Sequence, residues 1–176
     1  MKRLVICFVL IAAVLSMSAC SALTGLMTSS QSVQTEPYTF EGVTMDMAVG
    51  FDFQPRDDGG IIAQRLAQPD INQIVMFGKL EGDTEPLTQE QIKEYYMDKL
   101  VPTADSVSEM RDFSQYEIDG HTAQTFKYDY TIEENTITYI QDFIYMDGYV
   151  VMVSLGAMTE NNLAELERMH NTIKIS

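Results

Sequence analysis

Basic residues are scarce in this chain: 11 Lys and Arg stand against 26 Asp and Glu in 176 residues, a formal net charge of -15. Such a surface repels phosphate backbones and anionic lipid, which argues against a nucleic-acid partner and against membrane attachment through a basic patch. Cysteine is scarcer, with Cys7 and Cys20 alone. Beyond Cys20 the chain therefore has no disulfide staple, no thiol nucleophile and no thiolate metal site. The apolar run Leu4–Leu15 has twelve residues, short of the roughly 20 that a membrane-spanning helix needs. Histidine occurs twice, as His121 and His170, and no H-E-x-x-H, G-x-S-x-G, S-x-x-K or Walker-type glycine loop occurs.

What is present is ordinary globular material. Hydrophobic residues make up 45%, charged residues 21%, and nine Tyr and eight Phe supply large side chains for a core. The length suits one domain.

"MKRLVICFVLIAAVLSMSAC" has the layout of a secretory leader, with Lys2 and Arg3 as a basic start, the apolar run next and small residues before the cysteine. "MSAC" resembles a bacterial lipobox, with Ser18 and Ala19 in the small positions and Met17 where Leu is usual. The resemblance implies a lipoprotein signal peptide over 1–19 and a lipid-bearing thioether on Cys20. It places the protein at the cell membrane, lipid-anchored on the extracytoplasmic side. Cys7 would leave with the leader, so it is no disulfide partner for Cys20. Removal of Lys2 and Arg3 leaves nine bases against 26 acids, a balance of -17. Residues 20–36, the cysteine and a Ser-, Thr- and Gln-rich stretch, read as a flexible tether, and 37–176 as the folded domain.

Within that domain Val43, Met45 and Met47 alternate on one face of a strand. "GGIIAQRLA" and "QIVMFGKLEG" flank the turn formers Pro69, Asp70 and Asn72, which predicts a hairpin. In "PLTQEQIKEYYMDKLVP", Thr88 and Gln91 form a capping box and Leu87 staples to Ile92. Ile92, Tyr95, Tyr96 and Leu100 make the buried stripe, and Pro102 ends the helix. From Phe113 to Leu155 an antiparallel meander is expected, with type I′ turns at Asp119-Gly120 and Asp147-Gly148 and a third turn at 133–135. Phe126, Tyr128 and Tyr130 share one face of their strand, and the two-sided apolar "YVVMVSL" predicts an interior strand. A closing helix capped by Thr159 lays Leu163, Leu166, Met169 and Ile173 on the sheet.

The order of these elements, with "YTFEGVTMDMAVGF" early and "IDGHTAQTFKYDY" leading into the meander, resembles the PsbP-like fold and in particular bacterial DcrB-type lipoproteins. That resemblance implies an α+β domain, an antiparallel β-sheet with helices packed on it, in a group serving mostly as binding or accessory proteins.

Candidate chemistry is sparse. His121 and His170 lie in different elements, and His170, near a helix C-terminus, suits the dipole there. Asp57 and Asp58 lack EF-hand spacing and read as a solvated turn. Glu133 with Glu134, and the acids of 81–85, read as water-facing turns rather than a general acid and base. Tyr95, Tyr96, Tyr116, Tyr128, Tyr130, Tyr139 and Tyr145 either line a ligand groove or form core edge and sheet surface. No catalytic residue, cofactor or metal ligand is assigned, and Cys20 is the one assigned site. The expectation is a non-enzymatic binding or accessory protein of the envelope, held to the membrane through lipid on Cys20, with an envelope protein or a small solute as partner. The alternative is a hydrolase of unrecognised type using acidic residues, with or without a divalent cation.

Overall fold

The computed structural model describes residues 34–68, 71–82 and 85–176; the leader, Cys20, most of the tether and the Pro69-Asp70 turn lie outside the described residues. Eleven strands are seen there: β1 Thr35–Phe40, β2 Val43–Ala48, β3 Asp52–Pro55, β4 Ile61–Gln68, β5 Ile71–Glu81, β6 Ser106–Val107, β7 Arg111–Ile118, β8 His121–Ile132, β9 Asn135–Met146, β10 Tyr149–Ala157 and β11 Lys174–Ile175. A composite helix runs over residues 89–103 and a closing helix over Glu160–His170. The larger sheet has the order β3-β4-β5-β10-β9-β8-β6, with β7 also pairing β8, and β1-β2-β11 form a smaller sheet. All pairings are antiparallel. The α+β architecture expected from the sequence is the one observed. β1 opens at Thr35, where it pairs with Ala48, two residues before Pro37.

Alternation along the strands gives the large sheet two apolar faces, and each is covered. On one, Val75, Phe77, Ile140, Ile144, Val151, Val153 and Leu155 pack with Val43, Met45 and Met47 of β2 and with Leu166 and Met169 of the closing helix. On the other, Phe126, Tyr128, Tyr130, Tyr139, Phe143 and Met152 pack with Ile92, Met97 and Leu100 of the composite helix. β10 is interior and buried on both faces, as its sequence predicts. Gly156 of β10 makes room for an aromatic ring: a Cβ there would sit 2.5 Å from Tyr139 Cε1.

Turn chemistry follows the sequence at Asp119-Gly120, where φ is 47° and 84°, the signs of a type I′ turn. Asp147-Gly148 departs from that expectation. There the positive φ falls on Gly148 alone, at 87°, the sign pattern of a type II turn, and Gly148 O accepts a hydrogen bond from Gly82 N. The closing helix is capped as expected, Thr159 Oγ1 accepting from Asn162 N at 3.3 Å.

The composite helix begins as predicted and then departs. Thr88 Oγ1 accepts from Gln91 N at 3.3 Å and Gln91 Oε1 accepts from Thr88 N at 2.8 Å, a complete capping box. Lys93–Met97 then form a π-turn, which inserts extra backbone and rotates the next turn of the helix. The buried face becomes Ile92, Met97 and Leu100, with Tyr96 beside them; Met97 was not on the expected stripe, and the Tyr95 side chain lies outside the described residues. Pro102 sits inside a terminal 3-10 turn, Val101–Thr103, rather than after the helix, because the first turn of such a segment needs no N–H from it.

Candidate functional site

Tyrosines tie the composite helix to the sheet at both ends and in its middle. At the start, Leu87 N donates to Tyr145 Oη at 3.1 Å, Tyr145 Oη donates to Gln124 Oε1 at 2.6 Å, and Gln124 Nε2 donates to Leu87 O at 2.7 Å. In the middle, Tyr96 Oη donates to Gln141 Oε1 at 2.7 Å. At the end, Tyr130 Oη donates to Thr103 O at 2.6 Å. Burial raises the phenol pKa of Tyr96, Tyr128, Tyr139 and Tyr145 above the ordinary range, so these groups stay neutral donors. The expected tyrosine stripe is thus split: Tyr128, Tyr130, Tyr139 and Tyr145 are buried under the helix, and Tyr116 is on the opposite face of the sheet. Tyr130 and Tyr145 hold the helix by hydrogen bonds and Tyr128 and Tyr139 pack beneath it; none of the five lines the groove on its outer side.

That groove, about 510 Å³, runs between the outer side of the helix and the segment through β6 to Met110. Gln89, Glu90, Lys93, Met97, Asp98 and Val101 form the helix wall, and Val107, Ser108, Glu109 and Met110 form the other. The strand wall is fixed by Ser108, whose Oγ accepts from Asp129 N at 2.8 Å, and by Arg111, which ion-pairs with Asp129 at 2.6 Å. Arg111 beside it holds the Asp129 carboxyl below the usual range. Exposed Val101 and half-buried Val107 and Met110 supply the apolar surface of the groove, over buried Met97 and between charged rims, the composition of a binding surface that fixes a ligand by a few polar contacts.

A second polar cluster lies under the closing helix. Asp142 of β9 is fully buried; its Oδ1 is 3.0 Å from His170 Nε2 and accepts from Tyr116 Oη at 3.3 Å, while Oδ2 has no partner among the described residues. Burial alone lowers the His170 pKa, but the hydrogen bond and charge of Asp142 outweigh it, and the net shift is upward. Burial and the same carboxylate push the Tyr116 phenol up. This is a bridge between helix and sheet. The other histidine engages a different partner, His121 Nδ1 lying 3.2 Å from Tyr145 O.

The acidic pairs singled out in the sequence sit apart. Asp58 is in a tight turn, ion-paired with Arg56 at 2.7 Å and accepting from Gly60 N at 3.0 Å. Glu133 N donates to Asp105, and Glu81 pairs with Lys79 at 2.9 Å. Among the described residues no three His, Cys, Asp or Glu side chains converge as metal ligands. Sequence reading missed Asp142 and the groove residues Met97, Val101 and Met110. The signal for Asp142 was available: "IQDFIY" sets two polar residues in the middle of an otherwise apolar strand.

No protein-family model and no curated protein sequence matches the chain. Solved structures do. The cyanobacterial PsbP protein (CyanoP) of Synechocystis sp. PCC 6803 superposes with a TM-score of 0.62 at 12% identity, over 86% of this chain and 98% of that one. The Ran-binding protein Mog1p of Saccharomyces cerevisiae gives 0.57 at 10% identity, over 82% and 96%. LpqN of Mycobacterium tuberculosis, described as involved in cell envelope biogenesis, gives 0.51 at 14% identity, over 83% and 92%. The chain has the PsbP-like fold.

Proposed function

We propose that this PsbP-like domain is a non-enzymatic binding or accessory module of the bacterial cell envelope, held on the extracytoplasmic side of the membrane by lipid on Cys20. The observation that carries the binding role is the groove beside the composite helix: about 510 Å³, with exposed Val101 and exposed charged side chains along walls that hydrogen bonds and an ion pair hold in place. The clamped helix means that the groove is formed before a partner arrives, which spares the ordering cost of binding. The neighbours support an accessory role, and LpqN's part in envelope biogenesis supports the compartment. The leader and the "MSAC" pattern support the anchor. Two or three acyl chains on one residue hold stably where a single chain does not.

The anchor is tested by intact mass of the membrane-extracted protein. We expect a chain that begins at Cys20, heavier than the polypeptide by a diacylglyceryl thioether and any amide-linked acyl chain. A free thiol at Cys20, or a retained leader, overturns the lipoprotein assignment.

A further inference from the structure

We propose that the occupant of this groove is a short basic segment of a partner protein, with Lys or Arg flanking an apolar side chain; the proposal rests on the binding role just given. Val101, on the rim, is 54% exposed, the most exposed large apolar side chain among the described residues. It shares the groove with half-buried Met110, whose thioether adapts its shape to whatever apolar group is seated on it. Around this apolar strip are three carboxylates, Glu90, Asp98 and Glu109, against one ammonium, Lys93. The π-turn, Lys93–Met97, places both Lys93 and Met97 in the wall; such turns recur at functional sites.

The lining selects among occupants. Phosphate-bearing partners and anionic lipid headgroups meet carboxylates on both walls. A bare cation finds no converging set of ligands among the described residues. A basic peptide satisfies both the apolar strip and the acidic rims. Because the rim charges are exposed, they contribute to partner choice and association rate more than to tight binding.

The chain has no Trp, so a single Trp in a synthetic peptide reports binding alone. The full chain in zwitterionic detergent is titrated with three peptides that share Leu and one Trp and carry Lys, Ser or Glu at the remaining positions. The Lys peptide should bind at least roughly tenfold tighter than the Ser peptide, and the Glu peptide should not bind. The double change Asp98→Lys with Glu109→Lys should weaken the Lys peptide roughly tenfold, as should raising the salt concentration well above physiological. Val101→Ser should weaken it several-fold. The double change Glu36→Lys with Glu117→Lys alters net charge equally but lies elsewhere on the surface, and should leave affinity within about twofold. Equal weakening by this control, or equal binding of the Lys and Ser peptides, overturns the proposal. If the Ser peptide binds and only Val101→Ser weakens it, the groove is a binding site without the charge preference. If no groove change alters the binding of any peptide, the binding role of the groove falls as well.

Discussion

Phe126→Ala is expected to destabilise the domain by about 3–5 kcal/mol, the range for emptying a buried aromatic site. Phe126 is fully buried, and its ring centroid lies 5.8 Å from Phe143, 6.0 Å from Tyr96 and 6.1 Å from Tyr128. Removing it opens space under the composite helix, which two of these three neighbours cannot fill freely: Tyr96 is tied to Gln141 and Tyr128 is stacked on Tyr139 at 5.3 Å. The helix should therefore loosen before the sheet does. Urea titration gives the loss of stability, and amide exchange should rise at Ile92 to Leu100 while β10 stays protected. A loss under about 1 kcal/mol, or exchange rising uniformly, would show that this cluster does not hold the groove wall.

His170→Ala is the second large effect, about 3 kcal/mol at pH 6, because it strands a fully buried carboxylate whose remaining partner is Tyr116. The effect depends on pH. The His170 pKa is raised in the folded state above its ordinary 6.5, so folding favours the protonated ring. The stabilisation is complete below 6.5 and declines as pH rises through the folded-state value. Above it the neutral ring still donates a hydrogen bond to Asp142. The positive charge of Lys127 moderates the shift. Urea midpoints at pH 6 and pH 8 should therefore fall with pH in the wild type more steeply than in the variant, and adding Asp142→Asn should restore part of the loss. Identical pH slopes in wild type and variant would remove His170 as the group responsible.

The parts of the fold legible in the sequence were those decided within a few residues. The Thr88–Gln91 capping box, the Thr159 cap, the Asp119-Gly120 turn and the shared face of Phe126, Tyr128 and Tyr130 each follow from local backbone chemistry or strict alternation. The groove was not legible, because Val101 and Met110 meet only after β6 has paired with the far end of β8. Met97 is not legible for a different reason: a uniform helical period leaves it off the stripe, and the π-turn that ends at Met97 breaks that period. Within its own helix the dipole already accounts for His170. Its buried partner, 28 residues away on β9, became visible only with the helix laid on the sheet.

The central claim is that the groove beside residues 89–103 is where a partner docks. It is tested most directly by site-specific photocrosslinking in intact cells, with the crosslinking residue at position 101 or, as control, at position 117. The two positions lie at opposite ends of the β8 edge: β6, beside the groove, pairs with Tyr130 and Thr131, whereas Glu117 pairs with Thr122. The account predicts a discrete adduct from position 101, lost when Asp98→Lys and Glu109→Lys are added, and none from position 117. The same adducts from both positions, or none from position 101, would contradict it.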